Sequence, residues 1–62
     1  MYFVCSEIAE GRKIFGISNE DKMFACFTDR PEEAENLVRE LNELDVDEIH
    51  VLDIIEDRFY SG

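Results

Sequence analysis

The residues able to do chemistry fall into two groups. The stretch LDVDEIHVLDIIED, residues 44–57, carries the carboxylates Asp45, Asp47, Glu48, Asp53, Glu56 and Asp57 and the sole histidine, His50. Two cysteines, Cys5 and Cys26, lie in the apolar settings YFVCS and FACFT. Carboxylates packed this densely suit a hard cation, acid–base work beside the histidine, or charge-assisted hydrogen bonds to arginine and lysine. Spacing argues against the first two. A calcium loop needs a ligand series around a glycine at the sharp turn, and Asp45–Glu48 has neither. A zinc site drawn from Cys5, Cys26, His50 and an aspartate lacks paired ligands. Nucleophilic catalysis requires a thiol, a base and an orienting group in one pocket, and so short a chain leaves little room for a pocket of about 300 Å³ or more. No P-loop, dinucleotide fingerprint or nucleophile elbow is present. The expectation is therefore no metal, no cofactor and no enzymatic activity. The cysteines read as small buried hydrophobes; a reactive thiol would be Cys26, near a predicted helix start.

Charge is the strongest global signal. The 62 residues hold 16 acids against 6 bases, a net charge of −10, and the excess falls almost wholly after residue 28. Such a field repels nucleic acid and anionic membrane and favours encounter with basic surfaces. No apolar run approaches the ~20 residues that span a bilayer, and no secretory signal is legible, so a cytoplasmic location is expected. A halophile's solvent adaptation also yields acidic, lysine-poor chains, but the nearly neutral first half argues against it.

These residues must be held by local elements. YFVCSEI (2–8) and KIFGIS (13–18) are β-branched and aromatic, and AEGR between them supplies a turn, so residues 2–18 predict a hairpin. MFACF (23–27) is a short third strand or a segment packed under the helix. TDRPEEAENLVRELNEL is the clearest helix. Pro31 suits its first turn, Thr28, Asp29 or Arg30 its cap, with Asp29 and Glu32 placed for a capping box. Ala34, Leu37, Val38, Leu41 and Leu44 form its apolar stripe, and its end is predicted near Glu43 or Leu44. EIHVLDII (48–55) is rich in isoleucine and valine and reads as a strand. A helical stripe through Val46, Ile49, Leu52, Ile55 and Phe59 is the competing pattern.

The expected fold is α+β in a single domain, 1–62: a small antiparallel-rich sheet of three to four strands with one helix packed on one face, in the order β-β-(short β)-α-β. Apolar residues occur on both expected sheet faces, and one helix covers only one. Tyr2, Val4, Ile8, Leu52 and Ile54 are thus assigned to a second apolar face, covered by a homodimer partner or another protein.

The acids remain. Glu32, Glu33 and Glu35 suit a helix N-terminus, but Glu43, Asp45, Asp47 and Glu48 crowd its C-terminal end, where the macrodipole disfavours anions by about 0.3–1 kcal/mol each. Local rules broken without structural gain point to use. The expected function is a small acidic interaction module that docks on a basic, nucleic-acid-binding surface of a partner protein, an inhibitor of the nucleic-acid-mimic, anti-defence type. Its binding residues would be Glu32, Glu35, Glu43, Asp45, Asp47, Glu48, Asp53, Glu56 and Asp57. The alternative is a structural or regulatory subunit working through the apolar face, with the acids serving solubility.

Overall fold

Strands β1 (Phe3–Ala9) and β2 (Arg12–Ser18) are joined by only two residues, Glu10 and Gly11, both with positive φ (53° and 76°). That backbone matches the twist of a tight antiparallel hairpin, and glycine supplies half of it without strain. A computed structural model describes residues 1–60; residues 61 and 62 of the expected domain lie outside it. β3 (Met23–Thr28) pairs antiparallel with β2, giving a three-stranded sheet in the order β1-β2-β3. The β2–β3 register shifts twice, leaving Phe24 and Phe27 as extra residues on β3. Both pack against the core, so the two bulges re-aim a pair of large aromatics toward the helical side.

Gly16 is what allows β3 to lie so close. A Cβ there would sit 1.8 Å from the Ala25 carbonyl oxygen and 2.5 Å from the Cys26 Cα.

Helix α1 (Pro31–Glu43) begins with Pro31 and buries Ala34, Leu37 and Leu41 against the sheet. Its cap, Arg30, makes no side-chain capping bond, and the Asp29–Glu32 box does not form. Asp29 instead pairs with Arg12 at 2.7 Å. Buried Thr28 organises the turn, accepting from the Arg30 N–H at 3.1 Å and donating to the Glu33 carboxylate.

The last element is not a strand. A 3-10 turn over Glu48–His50 leads into α2 (Val51–Ile55), and the chain then widens into a π-helical turn over Glu56–Tyr60. The fold is α+β, with its helices on one side of a three-stranded sheet. Side-chain burial decides this against local preference, since β-propensity spans only ~1 kcal/mol and yields to context. The buried stripe is Val51, Ile54, Ile55 and Phe59, at helical spacing, and Phe59 packs on Phe27 with ring centroids 4.3 Å apart. It is rotated from the expected helical stripe, because Ile49 (72%) and Leu52 (46%) face solvent. No helix among the described residues is long and apolar enough to cross a membrane.

The core joins Ile17 to Leu37, Leu41, Val51, Ile55 and Tyr2. Two residues assigned to a second apolar face therefore belong to it: Tyr2 is buried, and Ile54 is partly buried against it. Val4, Ile8 and Leu52 are exposed. Val4 pairs with the fully buried Ile17, which places Val4 and Ile8 on the helix side of the sheet, beyond the reach of the short helices. The sheet face turned away from the helices instead carries the rows Phe3–Ser18–Met23 and Cys5–Gly16–Cys26.

Gly16→Ala is expected to lower stability by about 3 kcal/mol or more, because backbone rather than a flexible side chain must move. Urea denaturation followed by circular dichroism measures this; a loss under 1 kcal/mol would contradict the close approach of β3.

Candidate functional site

The C-terminal end of α1 and the start of the chain are locked together. The Tyr2 N–H donates to Asn42 Oδ1 at 2.8 Å, and Asn42 Nδ2 donates to the Tyr2 carbonyl at 3.1 Å. The Tyr2 hydroxyl donates to the Val46 carbonyl at 2.6 Å. Between these points the chain reverses in a Schellman turn: Val46 N–H to Leu41 O at 3.1 Å and Asp45 N–H to Asn42 O at 3.3 Å. Asp45 occupies the left-handed position (φ 51°) that glycine ordinarily takes.

This turn sets up two hollows. One is an open groove of about 710 Å³ between the end of α1 and α2. Its floor is apolar, from Leu41, Leu44, Val46 and Ile54; Glu40, Asp47, Asp53, Asp57, His50 and Arg58 complete its walls. The expectation that so short a chain lacks space for a pocket is thus corrected: the groove opens between residues of α1, the reversal and α2. The second hollow, about 480 Å³, is polar and holds Glu20, Asp21, Asp45, Asp47 and Glu48 beside Tyr2. Asp47 lines both. Asn19 joins the β2–β3 turn to the 3-10 turn across this second hollow. Its Oδ1 accepts from Asp21 N and Lys22 N at 2.9 Å each, and its Nδ2 donates to Glu48 at 3.0 Å.

The carboxylate field converges on Tyr2. Burial first, and then Glu48, Asp47, Asp45 and Glu20, hold its phenol above the ordinary 10.0. Four of the six bases are held by aromatic rings or by carboxylates. Lys13 and Lys22 lie over the rings of Phe15 and Phe24, at 5.6 and 5.0 Å. Arg12 pairs with Asp29, and Arg58 with Glu40. A hydrogen bond from Arg58 lowers the Glu40 carboxyl and raises Arg58 in return. The N-terminal ammonium holds Glu20 low through a 2.8 Å hydrogen bond. Among the described residues no ion pair joins Asp45, Asp47 or Asp53.

The structure thus brings together Asp45, Asp47, Glu48, Asp53 and Asp57 of the expected acidic set. Glu56 lies just beyond, in a shallow hollow with Asp53, Asp57 and Tyr60. Glu43 is exposed on the last turn of α1 and lines neither main hollow, while Glu32 and Glu35 lie toward its other end. Glu20, Asp21 and Glu40 are additions that linear reading passes over. The first two arrive through the β2–β3 turn, with only Asn19 as a local sign of its shape. His50 sits on a groove wall and not on a strand. Both cysteines lie on the sheet, remote from this histidine in the fold, and no group of three or more His, Cys, Asp or Glu among the described residues is arranged to hold a metal. What the arrangement offers is apolar contact ringed mostly by carboxylates, with His50 and the Arg58–Glu40 pair on the same wall. Comparison with protein-family models, curated proteins and solved structures finds no match to this chain.

Two outcomes follow from this geometry. Asp45→Gly relieves both the positive φ and an anion at a helix C-terminus, and is expected to raise stability by about 1 kcal/mol in urea denaturation. Second, the folded state holds the Tyr2 proton more tightly than the unfolded chain. Its stability contribution is therefore complete below pH 10 and is lost as pH climbs through the raised folded value. Tyr2→Phe should remove that alkaline decline, while costing about 1 kcal/mol at pH 7 through the hydrogen bond to Val46.

Proposed function

We propose that the chain is a non-enzymatic interaction module that captures a basic amphipathic helical segment of a partner protein. The observation that carries this reading is the ring of Asp47, Asp53 and Asp57 around the apolar floor of Leu41, Leu44, Val46 and Ile54. An apolar anchor on the segment would displace water from the floor, while flanking arginines and lysines form charge-assisted hydrogen bonds with the rim. The net charge of −10 would steer encounter. Basic protein surfaces commonly hold nucleic acid, so occupancy would mask such a site and make the module an inhibitor or modulator. Two free thiols suit a reducing, cytoplasmic setting.

Titration calorimetry with a synthetic Leu/Lys/Arg amphipathic helix tests the reading. Affinity should fall steeply between low and high salt, since exposed charge contacts are screened within about 8–10 Å. Asp47→Lys combined with Asp53→Lys should weaken binding by more than about tenfold, the equivalent of 1.4 kcal/mol. Leu44→Asp should weaken it at every salt concentration, because it removes floor rather than rim. Binding that ignores both changes would refute the groove as the docking site.

A second reading rests on the uncovered sheet face, where Phe3 (45%) and Met23 (51%) stand exposed. Sheet-to-sheet association of two copies would cover them. Sedimentation then shows a dimer that Phe3→Asp dissociates and that salt leaves intact; a monomer at all concentrations rejects it.

A further inference from the structure

That same uncovered face carries a side-chain cluster that the acidic groove does not use. The Sγ atoms of Cys5 on β1 and Cys26 on β3 lie 4.0 Å apart, and Cys26 Sγ lies 3.9 Å from Sδ of Met23. The local cause is legible in the ladder. Gly16 sits between the two cysteines in register, and its lack of a side chain lets the β3 backbone at Ala25 and Cys26 close in on β2, with no side chain standing between the thiols. Residues three apart on a regular strand face opposite ways. The bulge that makes Phe24 the extra residue brings Met23 and Cys26 onto one face.

A thiol sulfur within 4.0 Å of two others has a specific use. Metal–sulfur bonds of about 2.3 Å place ligand sulfurs about 4.0 Å apart in a trigonal plane, against about 4.6 Å in a linear pair. We propose that Cys5, Cys26 and Met23 form a three-sulfur site for a soft monovalent d10 cation, Cu(I). Soft thiolate and thioether ligands favour Cu(I), zinc and iron–sulfur clusters, and of these Cu(I) suits a set of only three sulfurs, since structural zinc takes four ligands from thiolate, imidazole and carboxylate. On binding, each thiol gives its proton to solvent and the two thiolates and the thioether each donate an electron pair to the metal, with no change of oxidation state. Burial, then Cys5 and then Glu7, push the Cys26 thiol up to about 12 in the metal-free chain. Met23 is half exposed and unbranched, so its thioether has the freedom to close the third side. The site lies on the opposite side of the sheet from the groove and stands whether or not the groove binds a peptide.

The test is an anaerobic titration of the reduced full chain against the coloured Cu(I)–bicinchoninate complex. The chain should withdraw one Cu(I) per molecule, and X-ray absorption should show only sulfur neighbours, at about 2.3 Å. Cys26→Ser should weaken binding by more than the roughly 10–100-fold that loss of an outer-shell partner costs. Met23→Leu, close in volume and at an exposed position, keeps the fold and should weaken binding by about tenfold or more. No withdrawal of Cu(I), nitrogen or oxygen in the first shell, or undiminished affinity in Met23→Leu would each overturn the site. So would Zn²⁺ displacing the bound Cu(I). Should Cys26→Ser fail to fold, Met23→Leu alone decides between these outcomes.

Discussion

The exchange of hydrogen bonds between Tyr2 and Asn42 is the constraint that fixes the helical layer and its acidic walls on the sheet. A lone asparagine side chain accepts from and donates to one residue's backbone, doing what a neighbouring strand would do at the sheet's edge. It ties the first residues of the chain to the last turn of α1, 40 positions away. With that tie in place, the Tyr2 ring seals one end of the core and its hydroxyl receives the far side of the helix reversal at Val46. A chain of this length buries only ~60% of its unfolded surface. Connections that satisfy polar groups while closing the core therefore matter more here than in a larger domain.

The reversal after α1 is locally costly. Its hydrogen-bonding pattern is that of a regular helix terminus, yet an aspartate holds the glycine position and two more acids, Asp47 and Glu48, follow within three residues. The nearby bases cover phenylalanine rings or pair with other carboxylates. Repulsion is left standing around Asp45, Asp47 and Glu48, and the buried phenol of Tyr2 registers it. Evolution tolerates such arrangements chiefly where the field acts on something outside the molecule.

Much of the architecture was legible from residues alone because it is local. The hairpin follows from Glu10-Gly11 between two β-rich runs, and α1 from Pro31 and a stripe at 3.6-residue spacing. The segment after Asp47 reads as a strand but is helical, because valine and isoleucine fit both strands and buried helices. What separates the two is where Val51, Ile55 and Phe59 meet the core, which is tertiary information. The face assignment failed for a related reason. Alternation correctly divides β1 into two sets, but it does not say which set the helices cover, so Tyr2 was placed outside when it closes the core. The acidic bracket at Asp45–Glu48 was visible as composition. Its partnership with Glu20 and Asp21 was not, because it depends on how the β2–β3 turn folds back.

The distribution of short and long connections gives the molecule two kinds of durability. The hairpin is held by neighbours in sequence, so its formation closes only a short loop. The acidic walls exist only while residues 2 and 42–48 are clasped, and closing that span costs more chain entropy. Partial opening should therefore begin at the clasp. In amide hydrogen exchange, the Tyr2 N–H would exchange ahead of the β1–β2 ladder. The acidic surface would then come apart while most of the sheet persists, so that a ligand spanning both hollows would act as a stitch across the weakest seam of the fold.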